Sequence, residues 1–260
     1  MKLKTLHLAK MFCLIALTFL LSACSNSDEH LRLQDSAHNN AELEKEPDVE
    51  VDEAKIKEFW DWFHQNEERL AELRSPTDPR FQEIVKKLQD IDLRLKAEIG
   101  VARNGQRYQL AISPELNPAL FPAARKVAAA APASQLWDVV PFCQRLRPNT
   151  LRNLELSNSD AEQKFYFLSI RDLRYQMKID EQKANIVILI RNYKPDDSKS
   201  IHYQDMALLM LQQALGEYDL CTKVGNVSFE PLDENTAKNF KPLEFISREL
   251  DEKLPYTPKL

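Results

Sequence analysis

The chain has 260 residues, of which 43% are hydrophobic, and its 40 acidic residues outnumber its 35 basic ones, giving a formal net charge of −5 at pH 7. An acidic protein is a poor candidate for nucleic-acid binding, because a phosphate backbone attracts clusters of Lys and Arg. The chain contains only four glycines, spaced too widely to form a phosphate-binding loop. This argues against Rossmann-type and Walker-type nucleotide sites, and no cofactor is expected.

The first 24 residues have the pattern of a secretory signal that ends at a cysteine. Three lysines and no acidic residue precede an apolar run at residues 11–21, which is too short to span a bilayer comfortably. Ser22 and Ala23 are small and stand directly before Cys24. This stretch resembles the lipobox of bacterial lipoproteins. The resemblance implies that residues 1–23 are removed, and that Cys24 becomes the mature N-terminus and carries a diacylglycerol and an N-acyl chain.

This anchor predicts where the protein resides. Two or more acyl chains hold a protein stably on a membrane that it does not span. Ser25 follows Cys24 in place of the Asp that retains lipoproteins in the inner membrane, which implies the outer membrane in a cell that has two. Loss of the three lysines moves the net charge from −5 to −8. The alternative is an ordinary secretory signal with a coincidental cysteine.

Two cysteines remain for the folded part of the chain. Cys13 leaves with the signal and Cys24 is used by the lipid, so Cys143 and Cys221 are left. In an oxidising compartment this predicts a disulfide, which would stabilise the fold by roughly 4 kcal/mol because it closes a long loop. The alternative is two separate buried thiols.

Residues 24–53 are predicted to be a disordered tether. They carry ten acidic residues against Arg32 and Lys45, with no aromatic residue and hardly any apolar pattern. Such a segment cannot bury enough surface to fold, and its charges extend it. It is expected to hold one domain, residues 54–260, away from the membrane.

The domain begins with two amphipathic helices, predicted over residues 52–73 and 79–98. Apolar side chains recur at helical spacing in both, and Ser75-Pro76 and Asp78-Pro79 interrupt the chain between them. A short connection of this kind predicts an antiparallel helical hairpin.

Strands are predicted after residue 99, where apolar residues begin to alternate with polar ones. Asn104-Gly105 separates residues 99–101 from residues 108–112 and indicates a hairpin turn. The run at 186–190 is typical of a central strand, and residues 165–170 fit either a strand or a helix. Further helices are predicted over 114–131, 205–215 and 242–254. Further strands are predicted over 136–142, 151–156, 174–179, 185–191 and 220–229. Pro141 places the first of these strands at the edge of a sheet. The predicted class is α+β, an N-terminal helical hairpin followed by a mainly antiparallel sheet with covering helices.

Catalytic and metal-binding patterns are weak in the folded part. Its two histidines, His64 and His202, are far apart in the sequence, so no pair has the spacing of a zinc site. No Gly-x-Ser-x-Gly elbow occurs. His64 precedes Glu67 by three residues, which is usual for a surface contact on a helix. No catalytic, cofactor-binding or metal-binding residue is predicted, although acidic residues are numerous enough to allow a carboxylate pair.

Trp62 lies off the apolar stripe of the first helix. A large ring on the polar side must be covered either by another part of the fold or by a partner, which makes Trp62 a candidate binding residue.

The aromatic cluster Phe59-Trp60-x-Trp62-Phe63-x-x-Asn66-Glu67, followed by Ile112-Ser113-Pro114, Phe121-Pro122, Ala131-Pro132 and Trp137, is similar to a pattern found in uncharacterised bacterial domains. That resemblance implies a recurring fold and no function. The sequence favours a lipid-anchored binding module for an envelope protein or a cell-wall component. The alternatives are a periplasmic hydrolase with paired carboxylates and a mainly structural lipoprotein.

Overall fold

The computed structural model describes residues 50–73, 77–102, 106–159, 164–197, 200–233 and 237–255. Contacts between these residues separate two compact units, which we call the N-terminal unit (residues 50–143) and the C-terminal unit (residues 144–255). The sequence predicted one domain over 54–260. Each unit contains its own sheets, and the single domain stays a prediction. The predicted α+β class is confirmed.

The N-terminal unit begins with the predicted helical hairpin, α1 (Glu53–Leu70) and α2 (Pro79–Gln89). Each helix starts at an aspartate whose carboxylate accepts backbone N–H groups of the first turn, Asp52 for α1 and Asp78 for α2. The sequence placed the end of α2 at residue 98, which is wrong. The Asp92 carboxylate accepts the amide N–H of Arg94 in a turn, and a strand begins two residues later.

Three strands form the sheet of this unit in the order β1 (Lys96–Val101), β2 (Tyr108–Ser113), β3 (Trp137–Pro141). β1 and β2 pair antiparallel as predicted, while the turn at Asn104-Gly105 lies outside the described residues. β3 lies at the edge, as Pro141 indicated, but runs parallel to β2 because the chain crosses over through α3 (Phe121–Ala129). That helix is shorter than the predicted 114–131 and follows a 3₁₀ turn, Pro118–Leu120.

The C-terminal unit contains two sheets. A two-stranded antiparallel ribbon consists of β4 (Glu155–Ser159) and β5 (Phe165–Ser169), so the ambiguous segment at 165–170 is a strand. The other sheet has the order β8-β7-β6-β9. Its strands are β6 (Leu173–Asp180), β7 (Lys183–Ile190), β8 (Val224–Pro231) and β9 (Lys241–Pro242), and the helices of the unit are α4 (Pro148–Leu151), α5 (Ser200–Leu215), α6 (Glu217–Lys223) and α7 (Ile246–Lys253).

The four-stranded sheet confirms one prediction from the sequence and corrects two others. β7 is central, as its apolar run indicated, and it joins β6 through a tight turn at Glu181 and Gln182, which both have positive φ. β8 runs parallel to β7 because α5 and α6 cross over between them. Residues 220–223 are therefore the end of α6 and not strand, and the segment predicted as helix from 242 begins instead with β9 and the 3₁₀ turn Leu243–Phe245.

Four of the six strand pairings among the described residues are antiparallel, although they belong to three sheets and not to one. No helix in the described part of the chain is long and apolar enough to cross a bilayer.

Candidate binding surface

The β4–β5 ribbon has two faces of different chemistry. Its inner face packs on α5 and buries Leu156, Tyr166 and Leu168. Its outer face presents the rings of Phe165 and Phe167, which are 67% and 70% exposed. Because side chains alternate along a strand, burying Tyr166 and Leu168 forces both phenylalanines to the outside.

Contacts with α5 hold the ribbon in this orientation. The rings of Tyr166 and His202 are stacked, with centroids 4.6 Å apart and planes 11° apart. Asn158 Nδ2 lies 3.1 Å from Nδ1 of the same histidine. An amide nitrogen only donates, so Nδ1 accepts, and the histidine ties both strands of the ribbon to α5. The outer rings cannot turn inward without breaking these contacts.

The two outer rings form a small flat surface. Their centroids are 6.4 Å apart and their planes differ by 25°. The residues directly opposite on β4 are Ser159 and Ser157, whose short side chains are too small to cover a phenyl ring. Burying a Phe side chain typically stabilises a protein by about 1.5–3 kcal/mol, and these two side chains gain little of it within the fold. Two exposed rings side by side form a contiguous apolar patch, which makes them a candidate binding surface. We call the pair the Phe165/Phe167 surface.

The sequence pattern of β5 did not indicate this surface. Residues 165–168 are apolar on both faces, so their alternation carries no sign of which side is inward. The signal lay in the neighbouring strand. Glu155, Ser157 and Ser159 alternate with a leucine and an asparagine that are both buried, which places the polar side of β4 on the face that the two phenylalanines share.

Trp62, the binding residue suggested by the sequence, has intramolecular contacts. Its ring is half-buried, and its centroid lies 6.3 Å from that of Phe59 and 6.4 Å from that of Phe63. Lys87 of α2 places its ammonium 5.2 Å from the ring centroid, a cation–π contact. These neighbours favour the interpretation that the fold itself covers Trp62, while a role in partner binding stays a prediction.

An open groove of about 670 Å³ runs along α1 in the N-terminal unit. Its lining includes Lys57, Trp60, Asp61, His64, Lys126 and Pro132. The charges at its rim already neutralise one another, since Lys57 Nζ lies 2.5 Å from Asp61 Oδ2 and Lys126 Nζ lies 2.9 Å from Glu53 Oε1. The floor is closed by Trp60, whose indole N–H donates to Val127 O at 2.9 Å. A charged ligand would have to break these pairs, so the groove is the weaker candidate.

His64 also lines this groove, and the acidic side chain near its imidazole is that of Glu67. Its Nδ1 is 3.9 Å from Glu67 Oε2, and the imidazole is largely exposed. An ion pair at this distance with one partner open to solvent contributes little energy. Among the described residues, no group of three or more His, Cys, Asp or Glu side chains is placed to hold a metal ion.

The carboxyl groups with displaced pKa values are all displaced downward in the described part of the chain. Hydrogen bonds from arginine lower the pKa of Asp78 to about 2 and also lower the pKa of Glu83, Asp92 and Asp251. Burial opposes ionisation of Glu249, but hydrogen bonds from Lys241, Lys253 and Tyr175 outweigh it and bring its pKa to about 2. A hydrolase acid needs the opposite shift.

The two cysteines of the folded part lie in different units. Cys143 ends the N-terminal unit and is buried, and Cys221 lies on α6. Neither forms a disulfide in the structure. Burial raises the pKa of the Cys221 thiol to about 12, with the nearby Glu217 carboxylate adding to the effect. So little thiolate exists near neutral pH that this cysteine is a poor attacking group. Pairing of Cys143 with Cys221 stays a prediction.

No protein-family model, no curated protein and no solved structure matches this chain. Cys24 and the signal that precedes it lie outside the described residues. The resemblances to bacterial lipoproteins and to uncharacterised bacterial domains therefore stay predictions. Within the described residues, the Phe165/Phe167 surface is the feature from which we infer a function.

Proposed function

We propose that this protein is a binding module of the bacterial cell envelope, anchored by a lipid on Cys24, that captures its partner through the Phe165/Phe167 surface. The observation that carries the proposal is the pair of phenyl rings, 67% and 70% exposed, held side by side on a ribbon whose other face is fixed to α5. Strand alternation places residues 165 and 167 on the outside but does not require an aromatic ring at either position, so we attribute the two rings to binding.

The anchor and the tether add to this proposal. A lipid confines the module to the membrane, and an extended acidic segment lets it search the space nearby, so the effective concentration of a partner in the same compartment rises. Modest affinity at a small apolar surface would then be sufficient. In a two-membrane cell the absence of Asp after Cys24 favours the outer membrane.

The periplasmic hydrolase is the second candidate from the sequence. It requires a cleft with two close carboxyl groups, one of them kept protonated by a raised pKa. The groove along α1 contains Glu53 and Asp61, but each is paired with a lysine. The binding module is therefore the better-supported proposal.

Crosslinking in intact cells tests the surface. We expect wild type to give a stoichiometric crosslinked species that disappears in the double variant Phe165→Ala/Phe167→Ala. Because the two rings are exposed, the free energy of unfolding should change by less than about 0.5 kcal/mol. Phe245→Ala is the matched control, since Phe245 lies in the same unit and is 45% exposed. A crosslinking pattern that survives the double variant would remove the surface from the proposal.

Lipidation of Cys24 has its own test. Metabolic labelling with an alkyne fatty acid should mark the wild-type protein, and Cys24→Ala should abolish the label and release the protein from the membrane fraction. Cys143→Ala serves as the control and should keep the label. A labelled Cys24→Ala variant would contradict the lipobox prediction.

A further inference from the structure

The backbone of β5 faces outward at the same residues that carry the exposed rings. In an antiparallel pair, hydrogen-bonded and non-hydrogen-bonded residue pairs alternate. The amide N–H of Ile170 donates to the carbonyl of Leu154 at 3.0 Å, next to the pair Glu155 and Ser169. The alternation then makes that pair, and the two that contain Phe167 and Phe165, non-hydrogen-bonded. Their N–H and C=O groups point away from the partner strand.

Two hydrogen bonds at the ends of the ribbon agree with this pattern. The amide N–H of Ser169 donates to the Asp172 carboxylate at 3.3 Å, and that of Ser159 donates to Asn158 Oδ1 at 2.7 Å. Both donors belong to the outward set and are bonded by local side chains. By this alternation the amide N–H groups of Phe165 and Phe167 do not bond to β4, and outside the strand ladders neither donates to a backbone carbonyl in the part of the chain that the structure describes.

We propose that β5 binds an extended segment of a partner polypeptide, which adds to the ribbon as a third strand beside Phe165 and Phe167. This inference rests on the proposed function and specifies the partner. The outward N–H and C=O groups provide main-chain hydrogen bonds, and the rings select apolar side chains at alternate positions of the added strand.

The size of the surface favours an extended strand over a preformed protein face. Two phenyl rings offer a few hundred Å² at most, whereas each partner in a stable protein–protein interface buries about 800 Å². A strand overcomes this limit, because its backbone bonds to an edge that is itself a template for pairing. A ribbon of only two strands also gains order when a third joins it.

Strand addition makes a prediction about the backbone of the bound peptide. Successive N–H groups of an extended chain point to opposite edges, so only every second amide can reach β5. In an antiparallel arrangement these amides belong to the residues whose side chains lie beside the phenyl rings. In a parallel arrangement they belong to the residues between. In both arrangements only one alternate set of amides is needed.

A designed peptide tests this requirement. The probe is a fluorescent seven-residue peptide of alternating lysine and valine, titrated by anisotropy against the full mature protein in detergent. Two further peptides carry methyl groups on backbone nitrogens, one peptide at every valine and the other at every lysine. The lysine side chains are unmodified, so all three peptides have the same charge. We expect one methylated peptide to lose at least about tenfold in affinity and the other to bind like the unmodified peptide. Equal affinities for the two, or no binding of the unmodified peptide at millimolar concentration, would overturn the proposal.

Substitution of Phe167 tests the same edge from the protein side. Phe167→Val removes the ring and keeps the N–H, whereas Phe167→Pro removes both. The lost N–H makes no bond to β4, so the proline should be tolerated as it is on other edge strands. We expect affinity for the unmodified peptide to fall a few-fold in the valine variant and about tenfold further in the proline variant. If both variants melt like wild type and bind equally, no outward N–H is involved and strand addition is wrong.

The outcomes separate this inference from the proposed function. If crosslinking in cells depends on the rings but neither methylation nor proline matters, the surface binds by its rings alone and only strand addition fails. If crosslinking is independent of the rings, the proposed function itself fails. A dimer of the purified protein that is lost in Phe167→Pro would overturn the choice of occupant, since β5 would then pair with a second copy of itself.

Discussion

The two units of this protein differ in the aromatic side chains that they leave exposed and in the charged side chains that they bury. The N-terminal unit buries the rings of Trp60, Phe63 and Trp137, and no charged side chain is buried in its described residues. In the C-terminal unit, the rings of the Phe165/Phe167 surface are exposed, while the carboxylates of Glu217 and Glu249 are buried.

This difference indicates which unit carries features that folding alone does not explain. The aromatic side chains of the N-terminal unit form a network that stabilises it, with the Phe63 and Trp137 centroids 5.3 Å apart and the Trp137 indole N–H donating to Glu67 O at 3.0 Å. In the C-terminal unit, a buried carboxylate costs desolvation and exposed rings forgo burial. Ion pairs with Lys241 and Lys253 offset the first cost for Glu249, but nothing within the described residues offsets the second.

The largest effect is expected for Trp137→Ala. Trp137 is 1% exposed, and its ring contacts those of Phe63 and Tyr108. Removing it leaves a cavity and deletes the hydrogen bond from the indole to Glu67 O, so unfolding in denaturant, followed by circular dichroism, should show a loss of about 3–5 kcal/mol. A loss below about 1 kcal/mol would contradict the view that buried rings hold the N-terminal unit together.

The charged core of the C-terminal unit should show itself in acid. Tyr175 donates to Glu249 at 2.7 Å, and Lys241 and Lys253 each place an ammonium 2.8 Å from its carboxylate. The pKa of Glu249 in the folded protein, about 2, lies below its ordinary value of 4.5. The resulting stability is present above about pH 4.5 and is lost as the pH falls towards 2. It amounts to about 3 kcal/mol at most.

The variant Glu249→Gln isolates this contribution. We expect it to be less stable than wild type at pH 7 and to lose less stability between pH 5 and pH 3, as measured by denaturant unfolding at each pH. Glu252→Gln is the matched control on the same helix, because the Glu252 side chain is 62% exposed. Parallel acid profiles for wild type and Glu249→Gln would show that this carboxylate is not what couples stability to pH.

The smallest of these three effects is expected for Trp62→Ala. The exposure of the Trp62 ring lies between that of the buried Trp137 and that of the exposed Phe165 and Phe167. The ring is half-buried and contacts Lys87, so its loss should cost about 1–2 kcal/mol, partly through the cation–π contact. Crosslinking in cells should be unchanged. The reverse result, unchanged stability with lost crosslinking, would move the binding surface to α1 and reverse the comparison between the units. Lys87→Met provides the control, because it removes the cation and keeps an apolar chain.

Much of this architecture could be read from local patterns. The helical hairpin, the central strand β7 and the edge position of β3 follow from periodicity and from proline, which act within a few residues. The boundaries of α2 and α6 could not be read in this way. After α2 the buried residues Ile91 and Leu95 prolong the apolar spacing of the helix through the turn that leads to β1. α6 passes directly into β8, from Lys223 to Val224, with no turn residue between them.

The sequence by itself determined the class of the fold, the acidic character of the chain and, through the lipobox pattern at Cys24, the predicted anchor. These depend on composition and on neighbours along the chain. Only the tertiary structure decided that the described residues group into two compact units, that Lys87 contacts the half-buried ring of Trp62 and that Phe165 and Phe167 are exposed. Whether a ring is buried depends on what packs against it from elsewhere in the chain. Here α5 packs against one face of β5, a strand with apolar side chains on both faces, and the other face stays exposed.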